Sequence, residues 1–122
     1  MDSNTNSQSH VMRGLDYKYE GDHYAAIKEF DLAIELEPKN DDAYAFRGGE
    51  YANLGEWDKA ISDYTQAITL NQSDANYLSR GCTYAMVEKF TEARSDLETA
   101  LRLNPDNDEA KQAMALLESI GH

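Results

Sequence analysis

Apolar positions along this chain keep the same cadence three times over. The stretches "YKYEGDHYAAIKEFDLAIEL", "YANLGEWDKAISDYTQAITL" and "YAMVEKFTEARSDLETALRL" align without a gap, and "HVMRGLDY", "YAFRGGEY" and "YLSRGCTY" align just upstream of them. Ala26, Ala60 and Ala93 fall 34 and then 33 residues apart, and Ala33, Ala67 and Ala100 follow each by seven. A period of that length marks stacked structural repeats. Within the middle copy Tyr44, Gly48 and Tyr51 recur at four and then three residues, while Ala60, Tyr64, Ala67, Ile68 and Leu70 trace an apolar stripe. Both spacings are helical, and Gly55 interrupts them, so each copy predicts two helices. The polar turns "EPKNDD", "NQSD" and "NPDND" close the copies, with Pro38 and Pro105 ending two of the second helices because a proline cannot continue one.

The pattern also states how the pairs must pack. Alanines and Gly48 are small where two helices approach closely, and Tyr51 and Trp57 supply bulk around that contact. One helix pair cannot bury its own apolar face, so stacking on neighbours supplies the core. After Pro105, "DNDEAKQAMALLESIGH" predicts one more helix with Ala110, Ala113, Met114 and Leu117 on one face. Read as a fourth copy it would place Lys111 and Glu118 where the aromatic and the tyrosine stand, so it is expected to be a polar-faced cap that leaves Leu116 and Ile120 partly exposed. The expected organisation is a flexible segment over 1–7 and a single domain over 8–122. Its repeats span about 8–40, 41–73 and 74–107, and the cap about 108–120.

Composition narrows the function. With 122 residues, 41% hydrophobic and 28% charged, the chain suits one soluble domain. Its net charge of −12 repels phosphate backbones and anionic lipid, which argues against nucleic acid and membrane surfaces as partners. No run approaches the roughly 20 apolar residues of a membrane span. The polar opening lacks the apolar region of a signal peptide, and a cytoplasmic location is expected. Cys82 is the sole cysteine, so it forms no disulfide within the chain, and no base near it in sequence would activate it. His10, His23 and His122 are isolated from one another, and no phosphate loop, dinucleotide glycine motif or zinc-protease signature occurs. Neither an enzyme nor a bound cofactor or metal is expected. Arg13, Arg47 and Arg80 each precede a glycine and each have an acidic residue sixteen positions on, Glu29, Asp63 and Asp96. That register predicts an ion pair across each packed helix pair.

These residues resemble the tetratricopeptide repeat family, whose pattern alternates aromatic, glycine, tyrosine, glycine, aromatic, alanine, aromatic, alanine and proline. The middle copy matches at Tyr44, Gly48, Tyr51, Gly55, Trp57, Ala60, Tyr64 and Ala67. The first matches at Gly14, Tyr17, Gly21, Ala26, Phe30, Ala33 and Pro38, and the third at Tyr77, Gly81, Tyr84, Phe90, Ala93, Leu97, Ala100 and Pro105. Gln72, Glu88 and His10 depart from the pattern at a proline, a turn glycine and an aromatic. The resemblance implies an all-α fold: a right-handed superhelical stack of antiparallel helix pairs, an α-solenoid of about seven helices. It also implies that proteins or peptides bind in a concave groove lined by the first helix of each pair.

Helical spacing gives the face turned from the second helix as Val11, Leu15 and Lys18; Ala45, Gly49 and Ala52; Leu78, Cys82 and Ala85, with Tyr19, Asn53 and Met86 at its border. This face is small and largely apolar. The family's branch that grips acidic chaperone tails uses lysine, asparagine and arginine there, whereas this chain has Val11, Leu15, Phe46 and Ser79. The expected function is a non-catalytic adaptor whose groove takes an apolar or basic-amphipathic segment of another protein. The alternative is a structural module that self-assembles through its groove or its cap.

Overall fold

The computed structural model describes residues 6–122; residues 1–5, which carry most of the expected flexible segment, lie outside the described residues. Among the described residues there are seven α-helices and no strand: α1 (Ser7–Glu20), α2 (His23–Leu36), α3 (Asp41–Asn53), α4 (Trp57–Leu70), α5 (Asp74–Met86), α6 (Phe90–Leu103) and α7 (Asp108–Ser119). The all-α class expected from the periodicity is the one observed. The chain forms two compact units, one running to Leu70 and the other from Asn71. The first holds the pairs α1–α2 and α3–α4, and the second the pair α5–α6 with α7 packed on it.

Short polar side chains start the helices. Asn6, Asp22, Asn40, Ser73 and Asn107 each accept a hydrogen bond from the backbone N–H three residues on, satisfying a donor that has no partner within the helix. The first helix of every pair, and α7 as well, ends in a left-handed residue: Gly21 (φ 80°), Gly55 (φ 76°), Glu88 (φ 62°) and Gly121 (φ 89°). The N–H of that residue donates to the carbonyl three back and the next N–H to the carbonyl five back, as in Gly21 to Lys18 and Asp22 to Tyr17. Two orphan carbonyls are thereby satisfied. Glu88 adopts this conformation with a side chain attached, at a cost of about 1 kcal/mol.

In the first unit, the end of α2 lies beside the start of α1, where the Ser7 hydroxyl donates to the Ala33 carbonyl at 2.9 Å. Midway along, Gly14 sits on the Phe30 ring so closely that a Cβ there would lie 2.4 Å from a ring carbon. Val11, Ala26, Phe30, Ala33 and Ala43 are buried together, with Leu15, Ile34 and Phe46 packed around them. The Phe30 and Phe46 rings stack at 5.8 Å and so join the first pair to α3. A polar latch does the same at the helix starts, because the Asn40 amide donates to the Ser7 hydroxyl at 2.9 Å. Glu50 of α3 is fully buried, and its Oε2 lies 2.5 Å from His23 Nδ1 at the head of α2. Among the described residues its Oε1 has no hydrogen-bond partner.

The second unit repeats these devices. Gly81 lies against Asp96 and Leu97, and Ala93, Leu97 and Leu117 form the buried centre with Leu78, Tyr84 and Phe90 packed on it. Its latch is Asp74 at the head of α5, whose Oδ2 accepts from the amides of Asn107 at 2.8 Å and Asn104 at 3.1 Å. Those two bonds favour the ionised carboxylate and lower its pKa. The latch therefore contributes stability above the ordinary carboxylate range, and that contribution is lost as pH falls through the lowered value.

Two substitutions test this packing. Gly14→Ala is expected to cost about 2 kcal/mol or more in urea unfolding, and more than Gly48→Ala, because Phe30 is fully enclosed and the Gly48 contacts begin at 3.1 Å. Equal losses would show that the ring can move aside. Glu88→Gly is expected to raise stability by about 1 kcal/mol through release of the left-handed strain; a loss in the same assay would assign Glu88 a compensating contact.

Candidate functional site

Two arginines define the middle of the pairs. Arg47 Nε and Nη2 donate to both oxygens of Asp63 at 2.8 and 2.7 Å, and Nη1 reaches Asp31 of α2 at 2.8 Å. Arg80 makes the same two-pronged contact with Asp96, at 2.8 Å for each bond. Tyrosine rings flank each guanidinium: Tyr44 and Tyr51 at 5.6 and 5.9 Å from Arg47, Tyr77 and Tyr84 at 5.8 and 5.6 Å from Arg80. Hydrogen bonds donated to the aspartates raise both arginine pKa values against the opposing effect of burial. The expected register holds for these two copies and fails in the first. There Arg13 is exposed, and Glu29 bonds His10 Nδ1 at 2.8 Å instead. His10 stands where Tyr44 and Tyr77 stand in the other copies; the ring stack is shortened, and the imidazole itself reaches the carboxylate.

With the arginines engaged in packing, the surface that corresponds to the expected groove is the other face of the first helices. In the first unit Val11 is only 2% exposed and belongs to the core; it is closed to a ligand because Ala26, Ala33 and Ala43, all small, let it sink between helices. Leu15 is half-buried, and Lys18 reaches over the Phe46 ring with Nζ 5.8 Å from its centre. Tyr19 and Asn53 are exposed, while Ala45, Gly49 and Ala52 are half-buried. A Cβ on Gly49 would meet only the Tyr64 hydroxyl, at an ordinary 3.5 Å. This face is shallow, with an aromatic floor that is partly covered by a cation.

The second unit offers a different feature. Cys82, Ala85 and Met86 of α5, Phe90 and Leu97 of α6, Ala113, Leu116 and Leu117 of α7, and Ile120 at its C-cap line an apolar cleft of about 260 Å³. Leu78, the fourth residue expected on this face, packs on the buried centre beside it. Met86, Leu116 and Ile120 stand at the mouth, 64%, 70% and 60% exposed. Cys82 is exposed at the cleft's edge; partial desolvation there and the carboxylate of Glu109 both raise its pKa, which keeps it a thiol and a poor nucleophile. No group of three His, Cys, Asp or Glu side chains placed to hold a metal occurs among the described residues, and no described helix is long and apolar enough to cross a membrane. The sequence reading found the α5 side of this cleft. It treated α7 as a polar cap and so missed that Leu116 and Ile120 form the opposite wall, although both lie 34 residues after Cys82 and Met86.

Antiparallel helix pairs of this kind, with a small residue at each crossing and the same contacts in successive copies, define a helical repeat module. Tetratricopeptide repeat family models match residues 7–40, 41–74 and 75–107. The chain belongs to the tetratricopeptide repeat family. It is 38% identical over 58 residues to the mouse Tetratricopeptide repeat protein 14, a stretch that is 48% of this chain and only 8% of that protein. In structure it is similar to the first repeat domain of Spaghetti (RPAP3) bound to the HSP90 peptide SRMEEVD, with a TM-score of 0.90 and 27% identity over 98% of this chain and 95% of that one. It is also similar to the second repeat domain of human RPAP3 in complex with the HSP70 peptide SGPTIEEVD, with a TM-score of 0.86 and 29% identity over 92% and 94%. The repeat domain of Arabidopsis OM64 superposes with a TM-score of 0.89 and 26% identity over 93% and 94%.

The arginine arrangement gives a direct test of its structural role. Arg47→Ala leaves Asp63 nearly buried without its partner and is expected to cost about 2–4 kcal/mol in urea unfolding. Arg13→Ala, at an exposed position, should stay within about 0.5 kcal/mol of the parent. Equal losses at the two positions would place Arg13 in a pair that forms in solution.

Proposed function

We propose that this chain is a non-catalytic protein-interaction module that takes an apolar or basic-amphipathic segment of another protein on the faces of its first helices. The apolar cleft of the second unit carries the reading. Burying an aliphatic side chain there gains about 25 cal/mol per Å² of apolar surface, and the cleft presents no charged side chain in its lining that the guest would have to satisfy. Peptide binding by the similar RPAP3 domains supports the class of function. Their peptides are acidic, whereas this chain carries −12 and places Val11, Leu15, Phe46 and Ser79 where cations would grip a carboxylate tail. The surrounding field speeds the approach of cationic segments and repels anionic ones.

The exposed Leu116 and Ile120 also favour a second reading, in which one copy docks on the cap of another. Fluorescence anisotropy with an amphipathic leucine-lysine probe and with SRMEEVD, beside light scattering over a concentration series, separates the two. The expected result is a monomer that binds the leucine-lysine probe at least about tenfold more tightly than SRMEEVD, with binding weakened by salt and by Ala85→Trp, which fills the cleft. Equal or tighter binding of SRMEEVD would overturn the proposed specificity. A particle mass that grows with concentration, without probe binding, would favour assembly.

A further inference from the structure

The last helix follows the repeat pattern on some faces and abandons it on another. Ala43, Asn76 and Ala110 occupy one position of α3, α5 and α7 and are all buried, and so do Glu50, Thr83 and Leu117. The crossing glycines Gly48 and Gly81 are buried under their second helices, but the matching residue of α7, Ala115, is exposed. On either side of it Lys111 and Glu118 replace the tyrosines that would frame an arginine. The positions that carry Gly49 and Cys82, and then Asn53 and Met86, are filled after them by Leu116 on α7 and Ile120 at its C-cap, both aliphatic and both exposed. Glu109 lies on the same face seven residues before Leu116, about 10 Å along the helix axis, and close enough to Cys82 to act on its thiol.

We propose that α7 is a ligand-gripping wall: Leu116 and Ile120, with Met86 opposite, hold a bulky aliphatic side chain of a partner segment, and Glu109 pairs with a lysine or arginine about 10 Å along that segment. This rests on the peptide-binding reading above and adds to it which helix selects the ligand and by what spacing. A second copy of the chain is the poorer occupant, because two surfaces at −12 repel one another.

The test uses the full chain and two fluorescent peptides that share a leucine anchor and carry either arginine or glutamate three residues from it, an extended span of about 10 Å. Leu116→Asp is expected to weaken the arginine peptide at least about tenfold, and Ala115→Lys, about 100° around the helix and outside the cleft lining, to leave it unchanged. Glu109→Lys should weaken the arginine peptide about fivefold at low salt and tighten the glutamate peptide by a similar factor. Circular dichroism confirms that all three variants keep the parental helicity; these sites are exposed, so folding is not at stake. If Leu116→Asp and Glu109→Lys bind as the parent does while Ala85→Trp still loses the probe, the role of α7 is overturned and the peptide-binding reading stands. If the parent binds neither peptide nor the leucine-lysine probe, both fail.

Discussion

Everything in this molecule depends on how closely two helices can cross. At Gly14 the gap is filled by the Phe30 ring, and at Gly48 and Gly81 by Tyr64 and Leu97 together with the β-carbons of Asp63 and Asp96. The aspartates that crowd the second and third crossings are the ones that receive Arg47 and Arg80. Closeness and charge are therefore one device. The missing side chain on the glycine brings the second helix near enough for a guanidinium one residue away to reach a carboxylate with both prongs, and the fork then sets the rotation of the helices about the crossing. In the first copy the crossing survives without the fork, because Phe30 fills the space so completely that His10 and Glu29 need only tie the ends.

The polar groups left inside are few and serve register more than stability. Glu50 is the extreme case, a carboxylate fully out of water and held by His23 at the head of α2. A hydrophobic pair there would pack at least as well on energetic grounds, but it would not specify which turn of α3 meets the start of α2. The latches at the helix starts, Asn40 to Ser7 and Asn107 to Asp74, join residues 33 apart and set the same kind of register between successive first helices. With alignment secured at crossings and starts, the opposite faces of the first helices are relieved of packing duty, and there the chain varies freely: Leu15, Gly49, Cys82 and Leu116 share one position and little chemistry.

How far the sequence could be read follows from which residues repeat. Helix pairs, their turns and the small residues at the crossings were legible, because every copy meets the same steric demand and answers it with the same residue type at a spacing of 33 or 34. The pairing of Arg47 with Asp63 and of Arg80 with Asp96 was legible for the same reason. Glu29 was misread, since nothing in a spacing of sixteen shows that His10, one turn earlier on α1, lies nearer than Arg13.

The outward face of the first helices was legible as a row of positions but not in depth. Spacing alone set Val11 and Leu15 one turn apart on that row, and tertiary packing separated them: small alanines on α2 and α3 let Val11 sink into the core, while Leu15 stays half-buried beside it. Glu50 and Asp16 likewise share a repeat position, one fully buried and the other in water. The sequence by itself thus determined the helices, their pairing and their order, because those are set by local periodicity and by contacts repeated in every copy. Only the tertiary structure decided which side chains face a neighbour, a cleft or solvent, because that depends on the size of residues far away in the chain.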